Sequence, residues 1–220
     1  MKKNTLLLCI VIAVVFTIVS SYIDYKMMHY FAKPLSTILV LLIPILFAKN
    51  PLKPYKKLIL IGLVLCFIGD VFLMFEAYFI YGLISFLIGH LFFMYAFTTI
   101  KGFSWNIITL IPLAVVTGIV FFSIKDHLGD LLIPVILYIA VIAVMAWQAI
   151  NLYVWKKEHG FLLIAIGACL FLVSDSFLAY GKFIADFPLG QFIVSSTYWS
   201  AITLIALSTI AIDKKSKTTI

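Results

Sequence analysis

Long apolar stretches separated by short polar interruptions run the length of this chain, and each stretch is of the size that crosses a bilayer. A hydrocarbon core ~30 Å thick takes about 20 residues of helix, with a range near 17–25, and in lipid the backbone has to satisfy its own hydrogen bonds. The pattern predicts eight helices, approximately Thr5 to Ser21, Pro34 to Ala48, Lys57 to Phe75, Phe79 to Ile100, Ser104 to Ser123, Leu131 to Val154, Phe161 to Tyr180 and Leu189 to Ile212. The second is short, with room to begin before Lys33. Lys33-Pro34 opens it, since proline suits a first helical turn.

Composition agrees with this reading. The chain is 65% hydrophobic and 11% charged, with a mean hydropathy of +1.19, far from the roughly 45–50% apolar and 25% charged residues of soluble domains. The expected fold is all-α, a polytopic membrane bundle of eight helices forming a single domain over residues 1–220, without a linker or soluble appendage. A net charge of +7 raises the question of nucleic acid, but the lysines are dispersed among loops and tails rather than gathered on one face, so no nucleic-acid partner is expected. Membrane topology accounts for them better. With a cytoplasmic N-terminus the inside segments hold Lys2, Lys3, Lys49, Lys53, Lys56, Lys57, Lys101, Lys156, Lys157, Lys214, Lys215 and Lys217, against Lys26, Lys33, Lys125 and Lys182 outside. That bias puts both termini in the cytoplasm. The first segment, two lysines and an apolar run, also has the look of a leader, but its length and the lack of an A-x-A site favour a retained helix.

Two carboxylates interrupt the apolar pattern from within. Asp70 lies in LCFIGDVFLMF and Asp175 in LFLVSDSFLAY, and counting ~1.5 Å per residue from the cytoplasmic side places both about 20 Å into the core. An intramembrane Asp costs roughly 2.5–3.5 kcal/mol to insert, so the pair costs about 5–7 kcal/mol, comparable to the net stability of a domain. Small neighbours, Gly62, Cys66 and Gly69 beside one and Gly167, Ala168 and Ser174 beside the other, let helices approach closely. The two carboxylates are therefore expected to reach one cavity in the outer half. The helices also align with each other as G-x-x-L-x-x-x-[GS]-D-x-F-L, which suggests a parallel duplication of four helices each, about 1–105 and 106–220.

Other polar residues bear on the chemistry less directly. His90 sits near mid-membrane, either bonded across helices as a neutral ring or serving as a substrate contact or proton relay. The Lys33 ammonium either snorkels to headgroups or reaches a site anion. His29, His127 and His159 are expected in loops on both sides of the membrane, so no metal site is expected. Asp24, Asp126, Asp130, Glu158, Asp186 and Asp213 are expected near helix ends and solvated, and Glu76 at the outer end of the third helix. Cys9, Cys66 and Cys169 read as buried small hydrophobes.

FAKPLST at 31–37, FIGD at 67–70, GHLFFMYAF at 89–97, GACLFLVSD at 167–175 and TYWSAITLIALS at 197–208 together resemble the YhhN-like lysoplasmalogenase family, in the right order over most of the chain. The resemblance implies an eight-helix cell-membrane hydrolase that cleaves the vinyl ether bond of lysoplasmalogens without a cofactor. Its substrate would be lysoplasmenyl-ethanolamine or lysoplasmenyl-choline, its products a fatty aldehyde and the glycerophospho-alcohol. On that pattern Asp70 and Asp175 fall on the catalytic acids, and Lys33, His90, Ser174 and Tyr198 on substrate-binding positions. Family members often carry a Gln shortly after the Tyr-aromatic pair, where this chain has Ala201-Ile202 after Tyr198-Trp199. Two carboxylates suit such chemistry, because vinyl ether hydrolysis needs an acid to protonate carbon and a base to activate water, as in glycoside hydrolysis. Two other classes stay open on the residues alone: a transporter or channel using Asp70, Asp175 and His90 as a proton or cation path, and a lipid-binding membrane protein without catalysis.

Overall fold

The computed structural model describes residues 2–23, 25–49 and 52–212. Asp24, Asp213, Lys214, Lys215 and Lys217 lie outside the described residues. Within them the chain forms eight α-helices: α1 Lys3–Tyr22, α2 Lys26–Phe47, α3 Lys53–Phe72, α4 Phe79–Lys101, α5 Ile107–Ile124, α6 Leu132–Trp155, α7 His159–Phe183 and α8 Gly190–Ala211. Seven are long and apolar enough to cross a membrane, and the chain is a multi-pass membrane protein. The other, α3, carries Lys53, Lys56, Lys57 and Asp70 within its length. It is held in the bundle by α4 along its side and by α2 and α8.

The outward face is what lipid requires. On α5 Ile108 is 81% exposed and Phe122 67%, an apolar band that a water-soluble monomer does not tolerate over such an area. The interior is built from Phe93, Phe97, Met145 and Phe171, all fully buried. Chain direction alternates along eight helices, so Lys3 and Ala211 share one end of the bundle, and the turns 73–78 and 184–189 lie at the other. At the first end the connection between α4 and α5 is pinned to α6. Gln148 Nε2 and Asn151 Nδ2 donate to the Ser104 carbonyl (3.1 and 2.9 Å), and the Ser104 N–H donates to Gln148 Oε1 (2.9 Å). Gly102, at φ 90°, makes the bend out of α4 that a side chain would disfavour.

Helix partners recur in the two halves: α3 packs along α4 as α7 packs along α8, α2 meets α3 as α6 meets α7, and α4 meets α6 as α8 meets α2. Glycine sets the closest approaches. A Cβ on Gly69 would lie 2.6 Å from the Phe86 ring, and one on Gly167 would lie 3.0 Å from the Ala201 carbonyl of α8.

Three expectations are corrected. Helix α2 begins at Lys26, before Lys33 as its short apolar run left room for, so Pro34 lies inside it together with Pro44 rather than in its first turn. Proline inside a membrane helix is tolerated because neighbouring helices satisfy the freed backbone groups. The same earlier start moves His29 out of the loop where it was expected and into α2, while His159 is the first residue of α7. Finally, only Cys66 of the three thiols is buried, and Cys9 and Cys169 are partly exposed.

Candidate active site

Asp70 comes from the last turn of α3 and is 2% exposed. Its Oδ2 accepts two hydroxyl hydrogen bonds, from Thr37 Oγ1 of α2 (2.6 Å) and from the Tyr198 hydroxyl of α8 (2.7 Å). Thr37 in turn accepts from Trp199 Nε1 at 3.2 Å. Three helices thus fix one carboxylate, and Ser36 and Thr37 reach the interior because α2 turns its Ala32, Ser36, Val40, Ile43 face inward.

Asp175, in α7, is 12% exposed. Its Oδ2 accepts from the Tyr138 hydroxyl of α6 at 2.5 Å, and His90 Nε2 of α4 stands 3.8 Å away. The His90 ring is fully buried, edge-on to Phe171 at 4.4 Å and to Tyr138 at 5.4 Å between centroids. Neither of its nitrogens has a hydrogen-bond partner among the described residues. Phe86 and Phe171 pack on each other and on Tyr198 behind the two carboxylates. Each aspartate is therefore bonded by the helix before its own, α2 for Asp70 and α6 for Asp175, and faces one from the other half of the chain: α8, which also bonds Asp70, and α4, whose His90 stands near Asp175 without bonding it.

Both carboxylates open onto one cavity of about 430 Å³ at the end of the bundle that carries Glu76 and Asp186. Lys33, His29, Ser174, Tyr198 and Gln191 also line it. A second, smaller pocket of about 50 Å³ lies between α4, α5, α6 and α7, walled by Leu83, Val135, Ile139, Ile142 and Leu172. Asp175 lines both, with Leu73, Phe79, Phe86 and Leu178 shared between them. It stands where a polar chamber meets an apolar one.

The residues singled out in the sequence come together unequally. Asp70, Asp175, Lys33, Ser174 and Tyr198 share the larger cavity, whereas His90 stands behind Asp175. Tyr198 is bonded to Asp70, and the Ser174 hydroxyl is bonded to the Val194 carbonyl of α8 (3.1 Å). Asp186 is exposed as expected but lines the mouth, as does Glu76 at the start of the turn after α3. Helix α8 also presents Gln191, two turns before Tyr198, with its Nε2 3.2 Å from Ser195 Oγ. Thr37, Tyr138 and His29 are site residues that sequence reasoning missed. Thr37 was within sight, one turn beyond Lys33 in FAKPLST. Tyr138 offers only a hydroxyl in the middle of an apolar helix. Among the described residues no three His, Cys, Asp or Glu side chains converge as metal ligands.

Comparison with known proteins gives a coherent set of relatives. The sequence model of the YhhN family matches residues 28–209, a span that includes both aspartates and every cavity residue named above but leaves out α1. The lysoplasmalogenase TMEM86A of Bos taurus is 30% identical over 166 residues, which is 71% of this chain and 67% of the relative. The lysoplasmalogenase TMEM86A of Homo sapiens is 30% identical over 169 residues, with the same coverage. No solved structure matches the chain significantly.

Proposed function

The chain belongs to the YhhN family, and we propose that it is a lysoplasmalogenase of the cell membrane: it hydrolyses the vinyl ether bond of lysoplasmenyl-ethanolamine or lysoplasmenyl-choline, with Asp70 and Asp175 as its acid–base pair. The observation that carries the reading is the junction at Asp175. A lysoplasmalogen is a polar head and an apolar alkenyl chain joined at the bond to be broken, and this carboxylate borders a polar cavity on one side and an apolar pocket on the other.

The surroundings of the two aspartates support different roles. Asp70 accepts two hydroxyl bonds and shares the cavity with the Lys33 ammonium, which suits an ionised base. Asp175 meets the apolar pocket where the alkenyl carbons would lie, which suits an uncharged acid. Asp175 gives its proton to the alkene carbon beyond the one bonded to oxygen, and the π electrons form that C–H bond. The cation left on the carbon next to oxygen is stabilised by the oxygen lone pair. Water adds to that carbon as Asp70 takes its proton, giving a hemiacetal. In the collapse Asp70 returns the proton to the departing glycerol oxygen, and Asp175 removes the hemiacetal hydroxyl proton. Both carboxyls are then as they began, with a fatty aldehyde and a glycerophospho-alcohol as products.

Purified protein is expected to release aldehyde from lysoplasmenyl lipid. In D2O the aldehyde carries one deuterium on the carbon next to the carbonyl, and in 18O-water its oxygen comes from solvent. Release without deuterium incorporation would exclude carbon protonation as the first step.

A further inference from the structure

Helix α2 carries a histidine and a lysine one turn apart, His29 and Lys33, and both line the larger cavity. They face the site from the mouth side of Asp70. His29 Nδ1 lies 3.4 Å from Ser20 Oγ of α1. Lys33 is half-buried, yet among the described residues its ammonium has no hydrogen bond, and no carboxylate lies within ion-pair distance of it. Asp70, which lines the same cavity, is already bonded by Thr37 and Tyr198. An ammonium that lines a cavity and has no direct partner is placed to take an anionic one from a ligand. The cavity, at about 430 Å³, is within the ~300–1,000 Å³ of small-molecule sites.

We infer that Lys33 and His29 form a phosphodiester subsite: the ammonium and the imidazole donate to the phosphate oxygens of the lysolipid, while the ether bond lies deeper at Asp70 and Asp175. Lys33 serves as a point charge and His29 as a directional donor one helical turn farther toward the mouth. Beyond the phosphate the exposed carboxylates of Glu76 and Asp186 border the same cavity, on the side where an ethanolamine or choline nitrogen would emerge. The subsite fixes the depth at which the chain enters, because a phosphate held one to two turns above Asp70 lets only the first carbons of the glycerol and alkenyl chain reach the carboxylates. This rests on the hydrolase reading for its choice of lipid.

Binding of saturated ether analogues, which have no alkene to protonate, tests the subsite apart from the chemistry. Full-length protein in detergent is titrated with 1-O-alkyl-glycerophosphoethanolamine and with 1-O-alkylglycerol, which lacks the phosphate. Lys33→Gln is expected to weaken the phosphorylated analogue about 10- to 100-fold, the range for losing one charge-assisted hydrogen bond. His29→Gln weakens it less, Lys33→Arg restores most of it, and 1-O-alkylglycerol binds all variants within about twofold. Lys125→Gln, on the exposed turn between α5 and α6, removes one charge elsewhere and leaves binding unchanged. Equal binding of the phosphorylated analogue by wild type and Lys33→Gln overturns the subsite, as does equal weakening of both analogues. Normal discrimination by Lys33 in a protein that releases no aldehyde from vinyl ethers would instead leave the subsite standing and remove the hydrolase reading.

Discussion

The surroundings of Asp70 and of Asp175 are two versions of one arrangement. Each carboxylate stands on a helix of the same direction, each is bonded through Oδ2 by the preceding helix, and each faces a helix from the other half. They differ in what completes the shell. Asp70 has two hydroxyl donors and a lysine across the cavity, and is 2% exposed. Asp175 has one hydroxyl donor, an unbonded histidine and an apolar pocket at its side. A buried carboxylate surrounded by donors is held as an anion, and one set against hydrocarbon is not. Similar scaffolding with unlike linings is how two identical side chains come to serve opposite proton-transfer roles.

The strongest way to break the comparison is to remove each acid in turn. Asp70→Asn and Asp175→Asn are each expected to lower aldehyde release by about 10²–10⁴-fold, the usual contribution of a general acid or base, with the protein still eluting as a monodisperse species. If either variant keeps full activity, that aspartate leaves the mechanism and the pairing loses its catalytic meaning.

Removing the tyrosines separates the shells without touching the acids. Tyr138→Phe deletes the one hydroxyl among the described residues that reaches Asp175, and an unsatisfied buried acceptor costs ~1–3 kcal/mol. A fall of about tenfold to a hundredfold in kcat is expected. Tyr198→Phe leaves Thr37 on Asp70, so the expected fall is roughly threefold to tenfold, since a charged acceptor keeps one good donor. The order of the two effects is the test, and a reversal would transfer the more dependent role to Asp70.

How far these shells could be read in the sequence follows from what each residue costs in a membrane. The two aspartates stand out because an ion in hydrocarbon is expensive wherever it lies, and the helices stand out because long apolar runs allow little else. A tyrosine or threonine hydroxyl is inexpensive in an apolar helix, so Tyr138 and Thr37 carry no signal until packing brings them to a carboxylate. Lys33 is legible as a cation at the start of a helix, with snorkelling and a site anion both open to it, whereas Tyr198 stands out only through family resemblance. The start of α2 is hard to place for a local reason. Pro34 reads as a first-turn residue, and only the surrounding helices make it acceptable in the interior, which hid His29 as a wall of the cavity.

Close packing in the two halves gives a further contrast, on stability. Gly69→Ala and Gly167→Ala both force a methyl into occupied space, at 2.6 Å from the Phe86 ring in the first and, in the second, at 2.9 Å from Ile205 Cγ1 and 3.0 Å from the Ala201 carbonyl. Each is expected to destabilise by about 1–3 kcal/mol, read as a lower melting temperature in detergent. Gly69→Ala presses on an aromatic side chain that also packs against Tyr198, so it is expected to lower activity as well. Gly167→Ala lies two turns before Asp175 and meets backbone that cannot turn aside, so its effect falls on stability alone. Equal loss of activity in the two would mean that the carboxylate positions depend on the whole bundle rather than on their own shells.

The smallest effect is expected at His90, and its sign carries the information. A buried imidazole whose two nitrogens find no partner forfeits the bonds it would make in water, so replacing it with an apolar residue of similar volume removes a cost rather than an interaction. His90→Leu is therefore expected to leave the melting temperature unchanged or to raise it slightly, since apolar replacement of an unsatisfied group is near neutral or stabilising. Activity bears on the other half of the question. Nε2 lies 3.8 Å from Asp175 Oδ2, beyond a hydrogen bond but close enough for a small rotation of either side chain to make one. If the Tyr138 hydroxyl alone holds Asp175, His90→Leu changes kcat by no more than about threefold. A loss as large as that of Tyr138→Phe, with the melting temperature unchanged, would instead give Asp175 two working partners. The two shells would then be equally complete, and their difference would reduce to the lysine on one side and the apolar pocket on the other.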